Sequence, residues 1–328
     1  MKKIVLLITL VYTFLLMALP AEAAIKKLAQ TGLQFLKVDV GARSAAMGGS
    51  YAMVGSDATA MFYNPAGLSK MESNYQFFAS QTQWISDINY NAGAAAVHLG
   101  NWGVVGLSII SADYGEIEGT RVSASEAGFE RTGNLDVGAY AVGLSYGRSI
   151  SERFSIGGQL KYAYQHLANS LIDSKGTEHN NTVGGLAFDF GTMFYPGFRS
   201  FRLGMFVRNF SPQFKYEKEA FQLPLTFAIG FAMDLMDFIG SSNSSLLLSL
   251  DALHPRDYTE RVHIGAEYEL LDIFALRGGY KFNYDEEGLT GGVGFKQSIG
   301  GVLLDIGYAY SEFGVFSSVN RFSINFAF

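Results

Sequence analysis

From about Tyr75 to Phe328 the chain alternates between apolar residues and small or polar ones. Leu225, Phe227, Ile229, Phe231, Met233 and Leu235 interleave with Thr226, Ala228, Gly230, Ala232 and Asp234. Val262, Ile264, Ala266, Tyr268 and Leu270 interleave with Arg261, His263, Gly265, Glu267 and Glu269, and the chain ends on Phe322, Ile324, Phe326 and Phe328 set against Arg321, Ser323 and Asn325. A period of two places successive side chains on opposite faces of a strand. Such runs predict strands at 75–83, 89–99, 102–112, 136–147, 153–165, 183–194, 200–210, 223–235, 245–252, 260–269, 272–282, 289–298, 301–310 and 320–328. That is about fourteen, many of the roughly 9–11 residues that cross a bilayer at a tilt.

The links between these runs are unequal. Those at 84–88, 113–135, 166–182, 211–222, 253–259, 283–288 and 311–319 are long or polar, whereas most of the others, such as Gly100-Asn101 and Ile299-Gly300, are tight. Long loops at one end and short turns at the other are the asymmetry of an outer-membrane barrel, and an even strand number puts both ends of the strand region on the short-turn, periplasmic side. A soluble β-sandwich also alternates, but it presents charge on its solvent face. Here the polar face is rich in Gly, Ala and Ser, as a crowded lumen requires.

Composition agrees. Gly is 38 of 328 residues, aromatic residues are 14%, and charged residues are 16%, against about 25% in soluble domains. The sequence holds no Cys, which excludes a disulfide framework and thiolate metal sites. A net charge of −6 without a basic stripe argues against nucleic acid. At the N-terminus, Lys2-Lys3, an apolar run from Ile4 to Leu19 and Ala21-Glu22-Ala23 have the form of a cleavable export signal, residues 1–23. Residues 24–74 do not alternate; they are rich in Gly, Ala and Met, start on the periplasmic side by the strand count, and are too apolar for water. The lumen is the place available to bury them. The reading is therefore an all-β, transmembrane antiparallel barrel over 75–328 in the bacterial outer membrane, with residues 24–74 as an N-terminal hatch.

The stretch Phe35–Met71, "FLKVDVGARSAAMGGSYAMVGSDATAMFYNPAGLSKM", resembles the N-terminal region of the PorV/PorQ family of outer-membrane proteins, related to FadL-type fatty-acid transporters. The likeness lies in Gly41-Ala42-Arg43, Ala46-Met47-Gly48-Gly49, Asp57-Ala58 and Asn64-Pro65-Ala66-Gly67, about a tenth of the chain at motif level. It implies a fourteen-stranded barrel whose hatch includes Asn64, Pro65 and Ala66. It also implies work in protein secretion of the type IX kind, or docking of exported proteins or secretion components at the outer membrane. The alternative it implies is a FadL-like passive transporter of hydrophobic small molecules such as long-chain fatty acids, with Met47, Met61, Phe62 and Leu68 as candidate ligand contacts. The terminal Phe322, Ile324, Phe326 and Phe328 read as a signal to the barrel-assembly machinery, by resemblance to other outer-membrane proteins.

Catalytic and metal chemistry find little footing. Gly143-Leu144-Ser145-Tyr146-Gly147 has the form of a nucleophile elbow, but it ends an alternating strand and lacks a following helix. The five His residues show no ligand spacing, so the chain is expected to act without a cofactor and not as an enzyme. Inward positions carry Lys161, Asp189, Arg202, Arg208, Asp234, Glu267, Arg277, Lys281 and Asp305, which suit ion pairs around the hatch or a path for a polar solute. Arg43 is placed to pair with Asp57 or with a ligand's acid group, and His263 with Glu267 or Glu269.

Overall fold

The computed structural model describes residues 31–171, 178–240 and 244–328; the export signal and residues 24–30 lie outside the described residues. Fourteen antiparallel strands close into a barrel: β1 (Tyr75–Gln83), β2 (Asn89–His98), β3 (Val104–Asp113), β4 (Val137–Ser149), β5 (Phe154–Leu171), β6 (Glu178–Phe194), β7 (Arg202–Phe210), β8 (Thr226–Asp234), β9 (Ser244–Pro255), β10 (Arg261–Leu270), β11 (Phe274–Phe282), β12 (Glu287–Ile299), β13 (Val302–Phe313) and β14 (Ser318–Ala327). Each strand pairs with its sequence neighbours, and β14 closes on β1 with Phe77 opposite Phe326. Closure leaves no unpaired edge around the ring, which a lipid environment demands because it cannot hydrate backbone groups. No helix among the described residues is long and apolar enough to cross a membrane.

The alternation has a direct outcome in exposure. Along β1 every second residue is buried, and the exposed face of the barrel carries Phe77, Leu107, Leu144, Phe190 and Leu276, each half exposed or more. This outward apolar band marks an outer-membrane barrel facing lipid. The opposite face is buried although many of its residues are polar: Ser145 and Gln159 are 1% and 6% exposed, and Gln159 donates to both Ser108 and Ser145. Ser145 is thus a wall residue in the middle of a ladder, not a nucleophile on a turn.

The predicted long loops contain more structure than their composition suggested. Residues 117–122 and 129–135 pair as a hairpin between β3 and β4, and Phe214–Lys215 pairs with Ala220–Phe221 between β7 and β8. Strands β5 and β6 run well into the region expected to be loop, through a bulge between His166 and Asn169. A second bulge lies between β6 and β7 at Phe188/Phe190, where Asn209 has a φ of 61° and its freed N–H donates to the Asp189 carboxylate at 2.7 Å.

Residues 31–74 touch the inward faces of strands around the ring: the five-residue helix Ala42–Ala46 meets β11 to β14, and the turn Pro65–Lys70 meets β4, β5 and β6. The course of the segment differs from expectation. Its first described residues lie at the long-loop end, where the Gly32 N–H donates to the Gln222 carbonyl at 3.1 Å in the β7–β8 loop. Leu33 and Phe35 are buried there in one apolar cluster with Phe214 and Leu223 of that loop. From there the chain descends the lumen to reach β1 at the short-turn end. A strand count fixes only where β1 begins, and the apolar side chains of the loops supply the anchor that it could not reveal.

Candidate functional site

Because the luminal segment has few repeating hydrogen bonds of its own, its backbone polar groups need partners from the wall. The Asp251 carboxylate accepts from the Tyr51 and Ala52 N–H groups, both at 2.9 Å, and Gln76 accepts from the Ala58 N–H at 2.7 Å. Arg202 donates to the Met53 carbonyl, Arg208 to that of Phe62 and Thr290 to that of Ala46. Gly41, Gly48 and Gly49 of the motif take φ values of 86°, 65° and 73°. The chain bends at these points in a region that costs other residues strain.

The Asn64-Pro65-Ala66-Gly67 stretch opens a short 3-10 turn. Asn64 caps it by accepting from the Ala66 N–H at 3.1 Å, and its amide donates to the carbonyls of Ala52 and, on the wall, Thr192. Pro65 supplies the first turn position, where no N–H is needed. Wall glycines let this turn approach. A Cβ on Gly157 would stand 2.3 Å from the Pro65 carbonyl carbon and the Ala66 nitrogen, and one on Gly279 would stand 2.3 Å from the Gly48 nitrogen. The glycine richness of the polar face is therefore an imprint of the segment lying on it.

Charged groups tie the two parts together. Arg43 and Arg277 both bind Glu267: Arg43 Nη2 lies 2.5 Å from Oε1, and Arg277 Nε lies 2.6 Å from Oε2, with the Arg277 and Glu267 side chains almost fully buried. The expected partner Asp57 instead caps its own turn, accepting from the Thr59 N–H at 2.8 Å. Glu267 serves both guanidiniums. Lys161 pairs with Asp189 at 2.7 Å, and Lys281 bridges Asp39 at 2.7 Å and Glu287. His263 meets the Tyr284 hydroxyl at 2.7 Å rather than Glu267 or Glu269. Those carboxylates are already held by Arg43, Arg277 and Lys296. At the long-loop end Asp257 accepts from Thr31, Gln34 and Lys37 at 2.7–3.1 Å. Burial alone would raise the Asp257 carboxyl, but the Lys37 ammonium and these hydrogen bonds hold it below the usual carboxylate value. Burial lowers Lys37 in turn, despite its partner.

Clefts remain between segment and wall, three of them along residues 36–44. The first lies near the long loops and is bounded by Trp84, Arg208, Arg261 and Tyr284. The second lies at mid-height and is lined by the apolar Val38, Val40, Met61, Phe62 and Ile110 and by the polar Gln159, Lys161 and Arg208. The third sits near the short turns and includes Arg43, Asp57, Phe78, Arg277 and Asp305. Of the four candidate ligand contacts, Met61 and Phe62 border the middle cleft, although Met61 is itself wholly buried against Gly106 of the wall. Met47 and Leu68 are wholly buried against wall residues, with the Met47 backbone at Gly279 and the Leu68 Cβ 2.8 Å from where a Gly147 Cβ would stand. At the other end of the chain, Phe322 and Phe326 face outward, and Phe328 joins β1 by backbone hydrogen bonds with Tyr75 and an edge-on ring contact with Phe77. Among the described residues no group of three or more His, Asp or Glu side chains is placed to hold a metal ion.

The sequence reading missed Asp251, Asp257 and Gln76, and it placed Arg208 among the inward charges without its contact to the Phe62 carbonyl. Each is a single polar residue whose partner is a backbone group or a side chain far away in sequence, so no local spacing marks it.

No family model and no curated protein matches the chain. Solved structures do. The toluene transporter TbuX of Ralstonia pickettii is 15% identical, with a TM-score of 0.55 over 88% of this chain and 97% of its own. The toluene transporter TodX of Pseudomonas putida is 13% identical, with a TM-score of 0.58 over 88% and 96%. A FadL homologue of Pseudomonas aeruginosa is 11% identical, with a TM-score of 0.52 over the same shares. What this chain has in common with these FadL-type transporters is their fold, a closed outer-membrane β-barrel, here of fourteen strands.

Proposed function

We propose that the chain is a passive conduit for hydrophobic small molecules, long-chain fatty acids among them, and that residues 31–74 are the hatch that closes it. The observation that carries this reading is the middle cleft, which Val38, Val40, Met61, Phe62 and Ile110 border with apolar side chains inside the barrel. Burial of apolar surface gives such a cleft affinity for apolar solutes, and the few polar groups opposite orient them. The likeness to two toluene transporters and a FadL homologue supports the same reading. The test is uptake of radiolabelled oleate and toluene by cells that lack their own transporter of this kind. Met61→Asp places a charge in the cleft and is expected to reduce uptake about tenfold or more; unchanged uptake refutes the conduit.

A second reading is docking of exported proteins, the activity that the PorV/PorQ resemblance implies. Its support is the hairpin 117–122/129–135, where Val122 is 93% exposed and Phe129 is half exposed beyond the strand ends. Capture of secreted-protein C-terminal domains by the purified barrel, abolished by Val122→Asp with Phe129→Asp, would support it. Equal capture by the double variant removes it.

A further inference from the structure

The short turns do not have the composition of loops that stand in water. Ile150 between β4 and β5, Phe198 between β6 and β7 and Ile239 between β8 and β9 are each more than half exposed, and Trp102 between β2 and β3 is three-quarters exposed. These turns touch their neighbours. A Cβ on Gly103 would stand 3.2 Å from that of Arg148, and one on Gly197 would stand 3.3 Å from the Arg153 guanidinium carbon. The Phe198 and Phe238 ring centroids lie 6.2 Å apart. The patch continues the lipid-facing band without a break. Phe154 and Phe194, opposite each other at the ends of β5 and β6, are exposed on the outer face, and the outward Tyr146 donates to the Trp102 carbonyl at 2.6 Å. Aromatic side chains at the strand ends of a membrane barrel sit where acyl chains give way to head groups.

The same patch carries cations without anions. Arg148, Arg153 and Arg199 are exposed, and among the described residues none of them is ion-paired. Arg199 lies 5.2 Å from the Phe238 ring centroid and donates to the Asp237 carbonyl, while the Asp237 carboxylate accepts from the Ser200 N–H at 2.9 Å. Glu152 is the other acid of these turns, so the three guanidiniums leave a positive balance. Cations elsewhere on the outside of the barrel differ. Arg121 and Arg131 of the long-loop hairpin hold Glu130 and Glu118, and Lys296 near another short turn holds Glu269. An arginine at the head-group level lays its aliphatic stem along the apolar layer and keeps its fork for a phosphate, which it binds through two parallel N–H donors. Apolar turn tips continuous with the lipid-facing band, edged by free guanidiniums, are thus complementary to a lipid whose head group is anionic.

We propose that this side of the short-turn rim is a binding surface for anionic phospholipids of the periplasm-facing leaflet, with Arg148, Arg153 and Arg199 on their phosphates and Phe154, Phe194 and Phe198 against their acyl chains. The surface lies outside the barrel and acts whatever passes through the lumen. Trp102, beside Arg148, is the reporter. The other tryptophan of the sequence, Trp84, packs edge-on against Tyr90 and Phe313, and Trp84→Phe removes its signal. In phosphatidylcholine nanodiscs, brominated phosphatidylglycerol is expected to quench Trp102 at about fivefold lower mole fraction than brominated phosphatidylcholine. Replacing Arg148, Arg153 and Arg199 together with Gln should bring the two lipids level, whereas replacing all three with Lys keeps a preference. Arg121→Gln with Arg131→Gln, at the opposite end, should leave the preference unchanged. Native mass spectrometry of the unaltered barrel and its triple Gln variant, titrated with phosphatidylglycerol, gives the same comparison if Trp84→Phe does not reach the folded, heat-modifiable form. Equal quenching by both lipids, or a preference that survives the triple Gln variant, overturns the phospholipid site. Quenching of Trp102 by iodide in the water but by neither brominated lipid also overturns it, and assigns the patch to a soluble partner instead.

Discussion

Replacing Glu267 with Gln keeps the shape of the side chain and removes the one charge that two guanidiniums share. In the native barrel Arg43 makes a two-pronged contact with Glu267, through Nε at 2.8 Å and Nη2 at 2.5 Å, while Arg277 reaches the same carboxylate at 2.6 Å. The Arg277 and Glu267 side chains are 1% and 2% exposed, so water cannot take over the lost interaction. Removing one partner of a buried pair costs about 3–5 kcal/mol, most of it the penalty of the charge left behind. Glu267→Gln leaves one such charge, Arg277, together with the partly exposed Arg43, and a loss within that range is expected. Arg43→Met should cost less, because Glu267 keeps Arg277. The internal control is Glu130→Gln. It opens the Arg121–Glu130 pair, whose side chains are 58% and 44% exposed, and should cost no more than about 1 kcal/mol. Urea unfolding in lipid vesicles, followed by tryptophan fluorescence, gives all three values. Hydrogen exchange over residues 42–49 should show the luminal helix losing protection in Glu267→Gln. If Glu267→Gln proves as mild as Glu130→Gln, the triad does not hold the segment to the wall.

Three further outcomes follow from the same structure. Asp257 has a carboxyl pKa held below its usual value, so its contribution to stability is present above the unfolded value of about 4 and is lost as pH falls through the folded value. Protection over residues 31–37, measured relative to the intrinsic exchange rate at each pH, should therefore fall in acid, and Asp257→Asn should bring that loss of protection to neutral pH; no change in the variant would count against the tie. Gly157→Ala pushes a Cβ into the Pro65–Ala66 backbone and should cost about 1–3 kcal/mol in the same unfolding assay, unlike Gly138→Ala, where nothing lies within 4 Å. Deleting Phe328 removes its two backbone hydrogen bonds to Tyr75 and its ring contact with Phe77, and should lower the heat-modifiable, folded fraction in outer membranes; an undiminished band would show that the terminal residue is dispensable for assembly.

The strands were legible because their signal is local. Alternation such as Leu225 to Leu235 needs no knowledge of partners, and in a barrel the partner is the next strand in sequence, so order and closure follow from counting. The lumen was not legible for the opposite reason. Arg43 and Glu267 are separated by 224 positions, and Thr31 and Asp257 by 226, so charge type alone suggested the nearer Asp57 for Arg43. Glycines 157 and 279 carried a signal that could have been read further: small residues on an inward face imply something lying against them. Which part of the segment lies there depends on its path, and that path is set by apolar contacts of Leu33 and Phe35 with Phe214 and Leu223.

The descent of residues 31–74 through the ring constrains the order of assembly. A length of chain running from one mouth of a closed cylinder to the other cannot slip in sideways once the last seam has zipped. Either the seam between β1 and β14 forms around a segment already laid along the growing sheet, or the free N-terminus is threaded afterwards through a passage lined by the Arg43–Glu267–Arg277 cluster and the Asn64 turn. The close fit of backbone against Gly157 and Gly279 makes the first order the less obstructed one, with the segment acting as the mandrel on which the wall is wound.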